Sequence, residues 1–180
     1  RKRCIWRHFK IIRKNSLMEN FETIAVRTQT ERTQFLEHST PLYLTSSYVF
    51  EDAEDMRASF AEEKECNIYS RFTNPNTSEF VEKIAKMEGA EAGYAFATGM
   101  AAVFSTLAAL LSSGDHIVSA RSVFGSTHGL FTKYFPKWNI SHSYFNVQEP
   151  ETIESLIKPE TRILFAETPT NPGVDILDLE

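Results

Sequence analysis

The chain has 180 residues, of which 42% are hydrophobic and 24% charged, and carries a net charge of −5. That balance excludes intrinsic disorder, and no apolar run approaches the roughly 18 residues that a bilayer-spanning helix requires. Two cysteines, Cys4 and Cys66, stand in no Cys/His ligand spacing, which argues against a metal site or a disulfide framework and for a reducing, cytoplasmic setting.

Residues 1–17 hold seven of the 19 Lys+Arg and no acidic residue, leaving 12 basic against 24 acidic in the remainder. The composition changes at Met18, where MENFETIAVRTQ begins. The basic extension is therefore expected to be upstream translated sequence outside the fold, with an Arg-rich, acid-poor transit peptide as the lesser reading. An acidic remainder speaks against nucleic-acid binding.

Residues 18–75 are polar and irregular, punctuated by Pro41 and Pro75, and read as an arm. One short helix is predicted over 51–60, with Ala53, Met56 and Phe60 on a shared face. At residue 76 the pattern becomes regular, and 76–180 read as one folded domain. Asn76 followed by Glu79 resembles a capping box, and Phe80, Ile84 and Met87, with Val81 and Ala85, form a helical stripe ended by Gly89. A strand is then predicted over 93–97 (GYAFA), a buried helix over 99–111, a loop at 112–115 and a strand over 116–120 (HIVSA). A helix over 125–134, stopped near Pro136, follows. The last elements are a strand over 140–145, a helix from Pro150 to Ile157 and a strand over 162–167 (RILFAE). Strands alternating with helices predict an α/β domain with a mostly parallel sheet covered on both faces. Ligands of such sheets sit beyond the carboxyl ends of the strands, so the residues that follow each strand are the ones to read for chemistry.

After 93–97 comes Ala97-Thr98-Gly99-Met100-Ala101-Ala102. There a small-residue turn feeds straight into a helix start, whose free N–H groups suit a phosphate. A tight strand–helix turn without a ligand explains it equally well. In NIYSRFTNPN (67–76), Tyr69 and Arg71 would point to one side of an extended segment and could jointly bind a phosphate; alternatively Arg71 is a surface residue beside an Asn-Pro turn. SVFGST (122–127) places Phe124 where it could stack on a flat ring, although an aromatic there also suits a core. ETPTNP (167–172) is a stiff two-proline loop that can fix the direction of Asn171, whose amide could donate to a ring oxygen or cap backbone.

Taken in order, NIYSRFTNPN, ATGMAA, SVFGST and ETPTNP closely resemble the Cys/Met-metabolism family of pyridoxal-5'-phosphate (PLP) enzymes, over about residues 22–180. The resemblance implies the large domain of fold type I PLP-dependent transferases, incomplete here and preceded by an N-terminal arm (18–75) that contacts a neighbouring subunit. It implies cofactor-binding roles for Tyr69, Arg71, Gly99, Met100, Phe124, Asn171 and Glu167. Gly99 and Met100 would offer N–H groups to the phosphate. Tyr69 and Arg71 would reach the phosphate of the adjacent subunit, Phe124 would stack on the ring, Asn171 would bond its phenolic oxygen, and Glu167 would support the pocket. The active site would be shared across a dimer, usually within a homotetramer.

Phe124 departs from the tyrosine that many members carry, since it can stack but cannot donate. The family's Schiff-base lysine and its ring-nitrogen aspartate follow ETPTNP and are expected beyond Glu180, so no catalytic residue is assigned in these 180 residues. Within the family, SVFGST is most like the O-succinylhomoserine sulfhydrylases. That implies γ-replacement on an O-acylated homoserine, a small-molecule amino-acid substrate, with sulfide giving homocysteine. Cystathionine or methionine γ-lyase is the alternative of the same class, and a truncated, catalytically dead remnant is the alternative of another.

Overall fold

The computed structural model describes residues 20–178; the basic extension and Cys4 lie outside the described residues. They form two compact units, the first ending at Ala95 and the second beginning at Phe96. No helix among the described residues is long and apolar enough to cross a membrane.

The first unit is built from α1 (Phe21–Arg27), α2 (Ala53–Phe60) and α3 (Pro75–Met87), joined by irregular chain. Each begins on a side chain that accepts a first-turn N–H: Asn20 from Thr23, Asp52 from Asp55 and Asn74 from Asn76. The apolar face expected on α2 is turned outward. Met56 and Phe60 are exposed, while Ser59 is buried, its hydroxyl donating to the Asp55 carbonyl at 2.7 Å.

The start of α3 differs from the sequence reading. Asn74, not Asn76, is the cap, and Pro75 occupies the first turn, where its missing N–H costs nothing. Asn76 and Glu79 are thereby released to hold the irregular chain. The Asn76 amide donates to the Pro41 carbonyl at 2.7 Å and accepts from the Tyr43 N–H at 2.8 Å. The Glu79 carboxylate accepts from the Thr30 N–H at 3.0 Å and from the Thr40 hydroxyl. Backbone groups outside regular structure need such partners wherever water is excluded. Burial pushes the Glu79 carboxyl up, but these bonds and Lys83 outweigh it and hold it below the ordinary value. As expected, Gly89 follows the helix in a left-handed conformation (φ 64°).

Residues 93–97 form no strand: they belong to no ladder among the described residues. Tyr94 is exposed, and an alternating pattern permits a strand but cannot supply its hydrogen-bond partner.

The second unit runs α4 (Gly99–Leu110), β1 (His116–Ala120), α5 (Gly125–Gly129), β2 (Ser141–Phe145), α6 (Ile153–Leu156) and β3 (Thr161–Phe165). After α5 the helical path widens into a π-turn (Leu130–Tyr134) and tightens into a 3-10 turn (Phe135–Trp138) that ends at left-handed Asn139. Pro136 sits in the first turn of that 3-10 segment, just after the wider helical path ends at Tyr134, close to where the sequence reading expected the stop. The three strands form a parallel sheet in the order β2-β1-β3.

Every residue of central β1 is buried, and alternate residues feed opposite faces. Ile117 packs with Leu107 and Leu111 and with Phe131, Phe135 and Ile140. Val118 and Ala120 pack with Val123, Phe145, Val147 and Leu177, against Ile153 and Leu156 of α6. Helical elements thus cover both faces, the layered arrangement expected of a parallel α/β sheet. Truncating fully buried Phe131 or Phe135 to alanine would cost about 3–5 kcal/mol, so the cluster fixes how α4 and the 130–138 segment lie on the sheet.

Candidate cofactor site

The amino end of α4 is capped by Thr98. The Thr98 hydroxyl accepts the Ala101 N–H at 3.1 Å and the Thr98 carbonyl takes the Ala102 N–H, so the two remaining first-turn donors are those of Gly99 and Met100. Gly99 is exposed, and a Cβ added to it would meet nothing within 4 Å. Met100 turns the other way: its sulfur accepts from the hydroxyl of buried Thr127 at 3.8 Å, which sets the start of α4 beside α5.

Phe124 immediately precedes α5, four residues beyond the carboxyl end of β1, and its ring is 43% exposed. Its backbone N–H donates to a Glu167 carboxylate oxygen at 3.0 Å. Glu167 lies two residues past the end of neighbouring β3, so the bond joins the loops that leave the two paired strands.

Asn171 lies four residues further on, in an exposed turn whose two X–Pro peptides, Thr168-Pro169 and Asn171-Pro172, are both cis. The turn is closed beneath it by buried Thr170, which exchanges hydrogen bonds with Asp175. The structure therefore joins Phe124 to Glu167 directly, ties Met100 to Thr127 of the helix that Phe124 precedes, and leaves Asn171 exposed four residues along the chain from Glu167, without a hydrogen bond to the others.

Tyr69 and Arg71 belong to the first unit. Tyr69 makes an antiparallel bridge with Ser47, and the chain turns immediately, with the Phe72 and Thr73 N–H groups both donating to the Tyr69 carbonyl. The extended geometry expected for 69–71 is thus replaced by a turn. The turn still places the Arg71 guanidinium over the Tyr69 ring at 5.5 Å and over the Phe72 ring at 5.0 Å. Arg71 pairs with no carboxylate among the described residues, so its donor fork is open to an anion.

Sequence reasoning passed over Thr98, Thr127, Thr170 and Asp175. Thr98 was legible, since a threonine before a glycine-led helix is a common cap. The other three act through contacts that no local pattern announces. His116 is buried, too, but at the opposite, amino end of β1, where its ring nitrogens meet the Thr161 hydroxyl at 2.8 Å and the Ser143 hydroxyl at 3.0 Å. Burial, reinforced by Lys158 and opposed by Glu160, pushes this imidazole below the ordinary histidine value. It ties the three strands and stands apart from the strand ends where ligands bind.

Two helix-start N–H groups left over by the Thr98 cap, a half-exposed aromatic after β1 and an exposed amide after β3 are group types that suit a flat ring bearing a phosphate. The comparison with known proteins agrees: the model of the family described as Cys/Met metabolism PLP-dependent enzymes matches residues 22–180. The chain belongs to that family. It is 45% identical over 159 residues to O-succinylhomoserine sulfhydrylase of Pseudomonas aeruginosa, covering 88% of this chain and 40% of that protein. It is 32% identical over 170 residues to L-methionine gamma-lyase of Porphyromonas gingivalis, covering 94% of this chain and 43% of the other.

Among solved structures, cystathionine gamma-lyase of Lactobacillus plantarum superposes with a TM-score of 0.77 at 28% identity, over 88% of this chain and 39% of that one. A Campylobacter jejuni protein, provisionally an O-acetylhomoserine (thiol)-lyase, superposes with a TM-score of 0.82 at 31% identity, over 89% of this chain and 39% of that one. Its structure holds an N'-pyridoxyl-lysine-5'-monophosphate. The fold is therefore that of the fold type I PLP enzymes, and the chain spans about two fifths of the length of the relatives it matches.

Proposed function

We propose that this chain is the N-terminal, cofactor-binding part of a longer PLP-dependent enzyme of sulfur amino-acid metabolism, one that replaces the γ-substituent of an O-acylated homoserine. The reaction is O-succinylhomoserine plus sulfide giving homocysteine and succinate. The observation that carries the cofactor reading is the amino end of α4, where the Gly99 and Met100 N–H groups are left over after Thr98 has capped Ala101. Similarity to the Pseudomonas sulfhydrylase supports the choice of substrate.

In this reading Gly99 and Met100 bind the phosphate through backbone N–H groups. Phe124 covers one face of the ring and keeps water from it, and Asn171 orients the ring through a donated hydrogen bond. When bound, PLP supplies an electron sink for negative charge developed on the amino-acid substrate. Phe124 lacks a hydroxyl, so it moves no proton, and the proton-transferring groups belong to the C-terminal part of the enzyme. Residues 18–75 act as an arm toward a neighbouring subunit, whose phosphate Tyr69 and Arg71 reach. That makes the working enzyme a homo-oligomer, with a tetramer as its form and the cytoplasm as its site.

The similarity to L-methionine gamma-lyase favours a second reading, elimination rather than replacement. The complete enzyme incubated with O-succinylhomoserine and sulfide should form homocysteine. Release of 2-oxobutyrate from methionine, with no homocysteine from the acylated substrate, would replace the sulfhydrylase reading by the lyase one.

A further inference from the structure

Phe124 is 43% exposed and its ring makes no aromatic contact among the described residues. The flanking anchors are firm: Val123 is buried on the sheet and Thr127 is buried against Met100. Between them the Phe124 peptide stands in an extended conformation (φ −52°, ψ 139°) without a side-chain cap. Its N–H has one partner, the Glu167 carboxylate at 3.0 Å. Glu167 is half-buried just beyond β3, the strand paired to β1, so its position is inherited from the sheet.

We propose that Glu167 is a positioning residue: its carboxylate fixes the peptide N–H of Phe124 and thereby the tilt of the ring over the cofactor, without itself touching the reacting atoms. The inference rests on the reading of Phe124 as the stacking aromatic. Without an acceptor here, the peptide that precedes Phe124 is free to rotate. The effect is transmitted through the backbone, so it requires an acceptor at this position and not a negative charge.

The test uses the complete enzyme with PLP bound, and compares Glu167→Ala and Glu167→Gln with the unaltered protein. Amide hydrogen exchange at Phe124 should be roughly tenfold faster in Glu167→Ala and near the unaltered rate in Glu167→Gln, whose side-chain carbonyl still accepts. The visible circular dichroism band of bound PLP, which reports ring orientation, should be lost or reversed in Glu167→Ala and retained in Glu167→Gln. Unchanged exchange in Glu167→Ala overturns the proposal, as does faster exchange with an unchanged dichroism band, or equal loss in both variants. Failure of the unaltered enzyme to bind PLP overturns the cofactor reading and the proposal with it. A normal PLP signal that ignores Glu167→Ala overturns the positioning role alone.

Discussion

Thr170 and Asp175 close the loop that carries Asn171: the Asp175 N–H donates to the Thr170 hydroxyl at 2.9 Å, and the Thr170 N–H donates to the Asp175 carbonyl at 2.9 Å. The Asp175 carboxylate adds bonds from the Thr170 hydroxyl at 3.2 Å and the Gln148 amide at 3.3 Å. Replacing Asp175 by alanine keeps the backbone bonds but removes the side-chain ones, and should cost about 1 kcal/mol in denaturant unfolding.

Gly173 leaves room for that carboxylate, since a Cβ there would lie 2.8 Å from Asp175 Oδ2. Gly173→Ala should therefore destabilise the protein by about 1–2 kcal/mol, and by less when Asp175→Ala is already present. Strict additivity in the double-mutant cycle would show that the clash is not what makes glycine necessary.

Arg71 pairs with no carboxylate among the described residues and stands over the Tyr69 ring. In the complete enzyme Arg71→Ala should raise the dissociation constant for PLP by roughly 10- to 100-fold, as loss of a charge-assisted phosphate contact does. Arg71→Lys should recover only part of this, because an ammonium lacks the paired fork. Equilibrium dialysis with the apo-protein measures it; an unaltered constant in Arg71→Ala would remove Arg71 from the site.

His116 titrates below the ordinary histidine value because burial penalises its charged form. In the unfolded chain it regains a pKa of about 6.5, so below that pH the unfolded state takes up a proton that the folded state refuses. Its contribution is present above about pH 6.5 and is lost as pH falls from there toward the depressed folded value. His116→Asn, which keeps hydrogen-bonding groups but does not titrate, should flatten the stability profile between about pH 5 and 7. An identical slope in the variant would place the pH dependence elsewhere.

Glu79 and Asn76 hold residues 30–43 against α3. Glu79→Ala should leave α3 intact and loosen that stretch, so limited proteolysis should cut within 30–43 several-fold faster while far-ultraviolet dichroism stays the same. Equal cleavage rates would mean that the remaining contacts suffice.

Local chemistry was readable where it is self-contained. The HIVSA strand spans 116–120 as expected, because an apolar run bounded by Ser-Ser-Gly-Asp and Arg-Ser carries its own limits. The helix beginning at Gly99 was also legible. Periodicity placed Met56 and Phe60 on one face of α2 but says nothing of what covers that face, and both are exposed. The capping box at Asn76 was misplaced by two residues: Asn74-Pro75 offers the same cap chemistry with a better first helical residue, and the two alternatives differ by little locally.

The sequence by itself determined the family, the βαβ alternation and the residue types that could meet a phosphate and a ring, since these depend on short motifs in order. The tertiary structure alone decided that 93–97 joins no strand ladder among the described residues, that Asn76 and Glu79 clamp distant chain, and that Glu167 reaches Phe124 across 43 residues. A strand needs a ladder partner and a carboxylate needs a donor, and both come from chain far away in sequence. Which partner arrives is settled only when the parallel sheet has brought the ends of β1 and β3 together.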